Sequence, residues 1–201
     1  MAARRLLILG AGGHARAVAD VAAECGWTVA GFTDRPGGVA RPDVLGDDAQ
    51  IAELIRSGKA DAAVVGVGNT ALGRRVELFE ILRKADAVIP SLVHPRAIVS
   101  RSCAIGDGAV VFPGVVLGAG VKVGENSVLY SNVVAEHDCR IAAHAYLSPG
   151  VILCGGVTVE TLAFIGAGAV VLPGVTVGTR AMVRARDLIR SDVPAGGRHE
   201  P

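Results

Sequence analysis

Three consecutive ionisable side chains, Glu136, His137 and Asp138, have the residue types that general acid–base catalysis uses. A histidine titrates near neutral pH, and a carboxylate next to it fixes its tautomer. The spacing therefore predicts that His137 acts as a general base and that Asp138 orients it. The alternative for the same residues is an exposed histidine in a turn.

A second cluster follows an apolar run near the N-terminus, where Gly10, Gly12, Gly13 and Ala15 fit the pattern G-x-G-x-x-A. Small residues there let the backbone approach a phosphate, and the N-terminus of the next helix supplies free N–H groups. Asp34 ends the next predicted strand, where a carboxylate can accept hydrogen bonds from a ribose or a base. These residues predict a nucleotide site. A tight turn with a surface aspartate is the alternative.

Alternating strands and helices must position this glycine turn. Apolar runs predict strands over 4–9, 27–33, 61–67 and 87–93. Helical periodicity extends from the glycine turn to about residue 25, and recurs over 48–57 and 71–85. The alternation predicts a parallel sheet with helical crossovers. Because a dinucleotide site needs two such halves and only one is present, a mononucleotide or nucleotide-sugar is favoured over NAD.

From Val99 onward the sequence repeats every six residues. Sixteen consecutive positions, spaced by six from Val99 to Ile189, are aliphatic, and the residue two places before each is small or branched except at Asp187. Three such hexads per coil predict a parallel β-helix of roughly five coils. No insertion interrupts the hexads, so we expect sites on its sides or between subunits. Its flat apolar faces favour self-association.

The composition argues against several other classes of protein. Twenty Lys/Arg against nineteen Asp/Glu, with 3% aromatic residues, disfavour a nucleic-acid-binding protein. The uncharged stretches 141–159 and 161–179 are long enough to span a membrane, but their glycines, prolines and hexads predict soluble β structure. The N-terminal apolar run is too short for a secretion signal, so the expected compartment is the cytoplasm.

The other candidate residues are cysteines, histidines and a C-terminal arginine cluster. The four cysteines lack metal-ligand spacing and are expected to be reduced thiols, and the five histidines give no ligand set, so no metal is expected. Arg184 and Arg186, clustered with Arg180 and Arg190, suit the phosphates of a cofactor at the end of the β-helix. A solvated capping coil is the alternative for these arginines.

Together these features resemble the hexapeptide-repeat sugar acyltransferases of the sialic-acid and bacillosamine type. The segments that carry the resemblance are LILGAGGHARAVADVA, VGVGN at 65–69, LVHPRAIVS at 92–100, AEHDC at 135–139, SPGV at 148–151, IGAGAVVLPGV at 165–175 and VPA at 193–195. The resemblance implies a Rossmann-like α/β nucleotide-sugar-binding domain over 1–92. It implies an all-β left-handed parallel β-helix acyltransferase domain over 93–201, with a C-terminal cap.

The resemblance also implies a reaction, the transfer of an acetyl group from acetyl-CoA to the amine of a nucleotide-linked sugar, commonly a UDP-linked 4-amino sugar. The amine would attack the thioester directly, with His137 as the base and Asp138 as its partner. The thioester carbonyl is expected near Tyr146, with the backbone N–H groups of Gly155 and Ala167 along the cofactor.

Substrate and partner expectations follow from the same resemblance. The nucleotide is expected to bind at Gly10, Gly12, Gly13, His14, Asp34 and Asn69. Family members are homotrimers with active sites between adjacent β-helices, so the same assembly is expected here.

The sequence departs from the family pattern at three positions. Tyr146 stands where relatives often carry a second histidine, and Tyr130 where they often carry an asparagine. Gly73 occupies the place of a usual arginine, and Arg74 follows it. Two alternative functions therefore stay open: a sugar O-acetyltransferase of the sialic-acid type, and a catalytically silent, nucleotide-binding trimeric scaffold.

Overall fold

A computed structural model describes residues 4–39 and 41–199, and the chain divides into two compact units between Leu92 and Val93. The elements of the first unit are β1 (Arg5–Leu9), α1 (Gly13–Glu24), β2 (Thr28–Asp34), β3 (Val44–Asp47), a 3-10 helix (Asp48–Gln50), α2 (Ile51–Arg56), β4 (Ala62–Val65), a second 3-10 helix (Asn69–Ala71) and α3 (Leu72–Lys84).

The first unit is built on a parallel sheet in the order β3-β2-β1-β4. The central strand β1 is buried from Leu6 to Leu9, and one of its faces packs against apolar side chains of α2 and α3. The predicted parallel α/β domain is therefore confirmed. Because all four strands run in one direction, the loops after their carboxyl ends lie along the same edge of the sheet.

Two details of this unit differ from the sequence prediction. Strand β3 was not predicted, because its four residues are all half-buried and show no alternation of apolar and polar side chains. The strand predicted over 87–93 is wrong for its first five residues. Pro90 has no N–H to donate to a ladder, and only Leu92–Val93 form a strand, which joins a sheet of the second unit.

The second unit consists of two-residue strands spaced by six. They are β5 (Leu92–Val93), β6 (Ile98–Val99), β7 (Ala104–Ile105), β8 (Val110–Val111), β9 (Val116–Leu117), β10 (Lys122–Val123), β11 (Val128–Leu129), β12 (Val134–Ala135), β13 (Arg140–Ile141), β14 (Tyr146–Leu147), β15 (Ile152–Leu153), β16 (Thr158–Val159), β17 (Phe164–Ile165), β18 (Val170–Val171), β19 (Thr176–Val177), β20 (Met182–Val183) and β21 (Leu188–Ile189).

These strands form the three faces of a parallel β-helix. The first face is β7-β10-β13-β16-β19, the second is β5-β8-β11-β14-β17-β20, and the third is β6-β9-β12-β15-β18-β21. Each strand pairs with the strands one coil before and after it, as Tyr146 pairs with Val128 and Phe164. This register confirms the predicted coil of three hexads.

The interior of the β-helix is a continuous aliphatic column. The predicted inward positions are fully buried from Val111 to Ile189, and Val99 and Ile105 are partly buried in the first coil. The residues two places before them are also buried along most of the column, so each hexad contributes two core side chains. The two uncharged stretches lie within these coils, and no helix of the described residues is long and apolar enough to cross a membrane.

The corners between faces contain residues with a left-handed backbone from the corner at Gly108 onward. From Gly108 to Arg186 every sixth residue has a positive φ, and seven of these residues are glycines. The non-glycine residues are Asn126, Asn132, Asp138, His144, Leu162, Arg180 and Arg186. Asn, Asp and His tolerate this conformation better than other side chains, whereas Leu and Arg are strained in it.

The last coil is closed by the C-terminal segment. Val193 and Arg198 form parallel bridges to Val177 and Met182. Asp187, the one exception in the inward pattern, pairs through Oδ2 with Nδ1 of His199 at 2.9 Å. Asp187 therefore forms a polar pair with His199 near the C-terminal end of the aliphatic column.

Candidate active site and nucleotide cavity

His137 lies at the corner between the third and first faces, in the turn that joins β12 to β13. Its carbonyl accepts the N–H of Gly156 at 2.9 Å, and the N–H of Asp138 donates to the carbonyl of Ala119 at 2.8 Å. The corner is therefore fixed to the coil on either side. Asp138 has a φ of 60°, which turns the chain sharply after the histidine.

The side chains of His137 and Asp138 form the predicted pair. Nδ1 of His137 lies 3.0 Å from Oδ2 of Asp138. The two side chains are 67% and 75% exposed, so the pair contributes little to folding stability. A carboxylate at Nδ1 holds the proton on that nitrogen and leaves Nε2 free to accept another.

Glycines surround this pair on the neighbouring coils. A Cβ added to Gly155 would lie 2.4 Å from Nε2 of His137, so the imidazole ring lies directly over that glycine. A Cβ on Gly120, in the preceding coil, would lie 2.8 Å from Oδ1 of Asp138. Any side chain at Gly155 would displace the ring. The N–H of Gly155 makes no hydrogen bond within residues 4–39 and 41–199 and is available to a ligand.

The other predicted cofactor residues lie at a different corner, between the second and third faces. Arg186 donates its N–H to the carbonyl of Ala167 at 2.8 Å, and Arg184 precedes it in the same turn. The N–H of Ala167 has no hydrogen-bond partner among the described residues. Within one chain the structure thus groups Ala167 with Arg184 and Arg186, and groups Gly155 with His137.

Tyr146 belongs to the second face and packs in a row of aromatic rings. Its ring centroid lies 5.9 Å from that of Tyr130 and 6.0 Å from that of Phe164, and Tyr130 stacks on Phe112 at 4.2 Å. His137 lies at the corner between the third and first faces, opposite the second face, so Tyr146 and His137 of the same chain are not in contact. The two residues can meet only between chains.

Two other groups of the β-helix that could take part in catalysis, His144 and Cys139, have structural partners. Nδ1 of the buried His144 lies 3.0 Å from Nδ2 of Asn126. Burial raises the pKa of the Cys139 thiol, which lies 3.2 Å from the carbonyl of Cys154 and is a poor nucleophile in that state. The described residues contain no group of three or more His, Cys, Asp or Glu side chains that could hold a metal ion.

In the first unit, a cavity of about 790 Å³ opens at the carboxyl edge of the sheet. It is lined by every residue predicted to bind the nucleotide: Gly10, Gly12, Gly13, His14, Asp34 and Asn69. Its volume lies within the usual range for small-molecule sites, roughly 300–1,000 Å³. The glycine motif, the end of β2 and the turn after β4 therefore converge on one space.

The glycine turn prepares one end of the cavity for an anion. Gly10 has a φ of 109°, which a side chain rarely adopts, and Gly12 caps α1 with open space around its Cα. The first turn of α1 has no acidic residue, so the partial positive charge of the helix N-terminus is not cancelled. Burial and the nearby Arg75 guanidinium lower the pKa of His14 to about 3, so this histidine is neutral at physiological pH.

Asp34 has a more local role than its position at the end of β2 suggests. Its Oδ1 accepts the N–H of Arg35 at 2.9 Å, and its Oδ2 accepts the N–H of Val39 at 2.8 Å. The carboxylate therefore shapes the loop that forms one wall of the cavity. Each oxygen retains a second lone pair for a ligand.

Sequence reasoning missed a second carboxylate in the cavity. Asp48 begins the 3-10 helix after β3 and accepts a hydrogen bond from Arg74, which also pairs with Glu77 at 2.6 Å. Asp48 and Arg74 both line the cavity. The available signal was an aspartate pair, Asp47-Asp48, at the end of a strand, but that strand was itself not predicted.

The comparisons with known proteins agree with this arrangement. The family model of the PglD N-terminal domain matches residues 5–81. Among solved structures, a histidine-to-alanine variant of GDP-perosamine N-acetyltransferase from Caulobacter crescentus, in complex with CoA and GDP-perosamine, is 33% identical. The alignment covers 96% of this chain and 91% of that one, with a TM-score of 0.90.

Two further structures are also similar. PerB from Caulobacter crescentus, in complex with CoA and GDP-perosamine, is 35% identical over 94% of this chain and 90% of that one, with a TM-score of 0.88. The acetyltransferase domain of PglB from Neisseria gonorrhoeae, in complex with acetyl coenzyme A, is 31% identical over 97% and 95%, with a TM-score of 0.84. No curated protein gives a significant match.

The chain consists of two units, a Rossmann-like unit and a left-handed parallel β-helix. The β-helix carries the exposed histidine–aspartate pair. The chain belongs to the hexapeptide-repeat sugar acyltransferases, and it is an acyltransferase. The family resemblance seen in the sequence is therefore confirmed.

Proposed function

We propose that the chain transfers the acetyl group of acetyl-CoA to the amine of a nucleotide-linked amino sugar. The single observation that carries this proposal is the geometry at His137. Asp138 holds one ring nitrogen, and the other lies over Gly155, whose N–H is free. The relatives crystallised with CoA or acetyl-CoA support the donor, and those crystallised with GDP-perosamine support a nucleotide-linked amino sugar.

The proposed chemistry assigns each group at this corner one role. Nε2 of His137 accepts a proton from the amine as the amine nitrogen bonds to the thioester carbon. Asp138 stabilises the imidazolium that forms. The N–H of Gly155 donates to the cofactor beside the reacting carbonyl, where negative charge develops. The carbon–sulfur bond then breaks, and the histidine returns its proton to the leaving thiolate.

The remaining contacts with CoA are assigned to residues that lie away from the corner at His137. The N–H of Ala167 donates to the pantetheine arm, and Arg184 and Arg186 bind the phosphates of CoA. Tyr146 donates its hydroxyl toward the thioester carbonyl from an adjacent chain, because it lies far from His137 within its own chain. This assignment requires an oligomer with sites between subunits.

The surface of the β-helix supports a homotrimer. The outward side chains of the third face are all apolar: Ile98, Val116, Val134, Ile152, Val170 and Leu188. Ile98 is 68% exposed, and Ile152 and Leu188 are also exposed. An apolar ladder of this length is unusual on a monomer, and a second copy of the chain provides a matching flat face. The first face, by contrast, carries Lys122 and Arg140 among its outward residues.

We assign the cavity of the first unit to the nucleotide of the substrate. Its glycine turn and the N-terminus of α1 suit a diphosphate. Asp34 and Asn69 supply polar groups for the ribose and the base. The family resemblance suggests uridine as the base, whereas two of the similar structures contain GDP-perosamine.

Product analysis tests the proposal directly. The enzyme is incubated with acetyl-CoA and a 4-amino-sugar nucleotide, or with the matching 4-hydroxy sugar, and the products are identified by mass spectrometry. The proposal predicts an acetamide from the amino sugar and no product from the hydroxy sugar. An ester formed from the hydroxy sugar alone would establish O-acetylation instead.

A further inference from the structure

Two carboxylates, Asp34 and Asp48, face the nucleotide cavity from neighbouring strand ends. In the ladder between β2 and β3, Asp34 pairs with Asp47, so Asp48 lies one residue beyond that pair. The glycine turn lies at the end of β1, on the other side of β2 from β3. The cavity therefore has the N-terminus of α1 at one end. We call the other end, beyond β2 and β3, the acidic end, because Asp34 and Asp48 lie there, with Arg74 bound to Asp48.

The two carboxylates differ in what they offer a ligand. Asp34 already accepts a backbone N–H at each oxygen and holds the wall of the cavity. Asp48 is bound through Oδ2 to Arg74, and its Oδ1 accepts no hydrogen bond from any described residue. Its side chain is only 12% exposed, and the exposed part faces the cavity. Asp48 therefore has one oxygen without a protein donor, whereas each oxygen of Asp34 already accepts one N–H.

Arg74 orients the carboxylate of Asp48. Its guanidinium binds Asp48 on one side and Glu77 on the other, and the hydrogen bond that it donates to Glu77 contributes most to raising the pKa of Arg74. Arg74 is thus a positioning residue for Asp48.

We infer that the cavity binds a guanosine diphosphate in preference to a uridine diphosphate, with Asp48 reading the base. This inference rests on the proposed assignment of the cavity to the substrate nucleotide. A diphosphate at the glycine turn directs the base toward the acidic end. Guanine presents two adjacent donors, N1–H and the 2-amino group, which match a carboxylate. Uracil presents one N–H between two carbonyl oxygens, and a carboxylate repels those oxygens.

Direct binding to the full chain tests the inference without a variant. Calorimetric titrations compare GDP, UDP and inosine diphosphate, which is GDP without the 2-amino group. We expect GDP to bind at least about 10-fold more tightly than either of the others, since one charge-assisted hydrogen bond is worth about that factor. Equal affinities for GDP and inosine diphosphate, or tighter binding of UDP, would overturn the inference.

Variants assign the effect to Asp48. Asp48→Asn should lower the affinity for GDP about 10-fold and leave the affinity for UDP unchanged or higher, because the repulsion is removed. The control is Glu53→Gln, which removes an exposed carboxylate that pairs with Arg56 and does not line the cavity, and it should change neither affinity. If Asp48→Asn fails to fold, the comparison of GDP with inosine diphosphate in the unaltered chain still decides the question.

The outcome separates this inference from the proposed function. Tight, 2-amino-dependent binding of GDP without acetyl transfer to any amino sugar would sustain the nucleotide preference and contradict the proposed acetyltransferase. Acetyl transfer to a UDP-linked sugar with weak binding of GDP would sustain the proposed function and contradict the nucleotide preference.

Discussion

At the level of single residues, the proposed activity depends on a histidine held by one neighbour and placed over another. Asp138 fixes Nδ1 of His137, and the missing side chain at Gly155 leaves room for Nε2. The histidine and the aspartate were predicted from the sequence because ionisable residues interrupt an aliphatic repeat. The steric role of Gly155 could not be predicted, since a glycine at a corner is ordinary in this repeat and only the coordinates place the ring above it.

Replacing Asp138 by asparagine should lower kcat about 100-fold and leave the KM for acetyl-CoA within about 3-fold. An amide cannot stabilise the imidazolium, so the base is weakened while the binding surfaces remain. Steady-state kinetics with circular dichroism of the variant provide the measurement. An unchanged kcat would show that Asp138 only shapes the turn.

Gly155→Ala should lower kcat about 100-fold because the added methyl group displaces the imidazole ring. Other corners carry alanine at the equivalent position, as at Ala143 and Ala167, so the backbone itself tolerates this residue. The control is the same substitution in a His137→Ala background. His137→Ala with and without Gly155→Ala should have the same free energy of unfolding in urea. A lower value for the double variant would show that the added methyl group clashes with the backbone.

The neutral state of His14 predicts a dependence of stability on pH. Its pKa is about 3 in the folded chain, against 6.5 for an unperturbed histidine, so the unfolded chain binds a proton that the folded chain excludes. The stabilisation is complete above pH 6.5 and is lost as the pH falls toward 3. Between pH 7 and pH 5 the free energy of unfolding should fall about 2 kcal/mol more in the unaltered chain than in His14→Gln. Urea denaturation at the two pH values measures the difference, and equal losses would contradict the burial of a neutral His14.

At the scale of elements, the hexads predicted nearly the whole β-helix, because each coil repeats the same inward positions and the same turn. The first unit was harder to predict. β3 is short and half-buried throughout, so no pattern marks it, and Asp48 was missed together with the strand that places it. Pro90 ended a run that otherwise had the composition of a strand.

Strain at the corners of the β-helix can be measured with a matched pair of variants. Arg180 is exposed with a φ of 58°, a conformation that disfavours any side chain. Arg180→Gly should therefore raise the free energy of unfolding by about 1 kcal/mol. Arg190→Gly, at an exposed position without a positive φ, should lower it by about 0.5–1 kcal/mol. Loss of stability in both variants would show that the corner at Arg180 is not strained.

At the level of the whole molecule, Tyr146 and His137 lie apart within one chain, so the proposed site, which includes both, needs more than one chain. The apolar ladder on the third face gives the surface for that contact. Light scattering should therefore give a mass of three times the 20.4 kDa chain.

Placing glutamates at Ile98 and Ile152 should reduce the mass to that of one chain and abolish activity, because charges on that face oppose its burial. Thr158→Glu, on the polar first face, is the matched control and should leave the mass unchanged. A trimer that survives both glutamates on the third face would place the contact elsewhere.

The proposed role of His137 as the base of an acetyl transfer is tested most directly by the release of CoA from acetyl-CoA. The unaltered enzyme and His137→Ala are assayed with a panel of GDP- and UDP-linked amino sugars, and binding of the free nucleotide is measured in parallel. We predict turnover with at least one sugar. In His137→Ala the rate of CoA release should fall at least about 100-fold, while the nucleotide affinity and the mass of the assembly stay unchanged. Turnover that persists in His137→Ala, or no CoA release with any amino sugar, would contradict this proposed role.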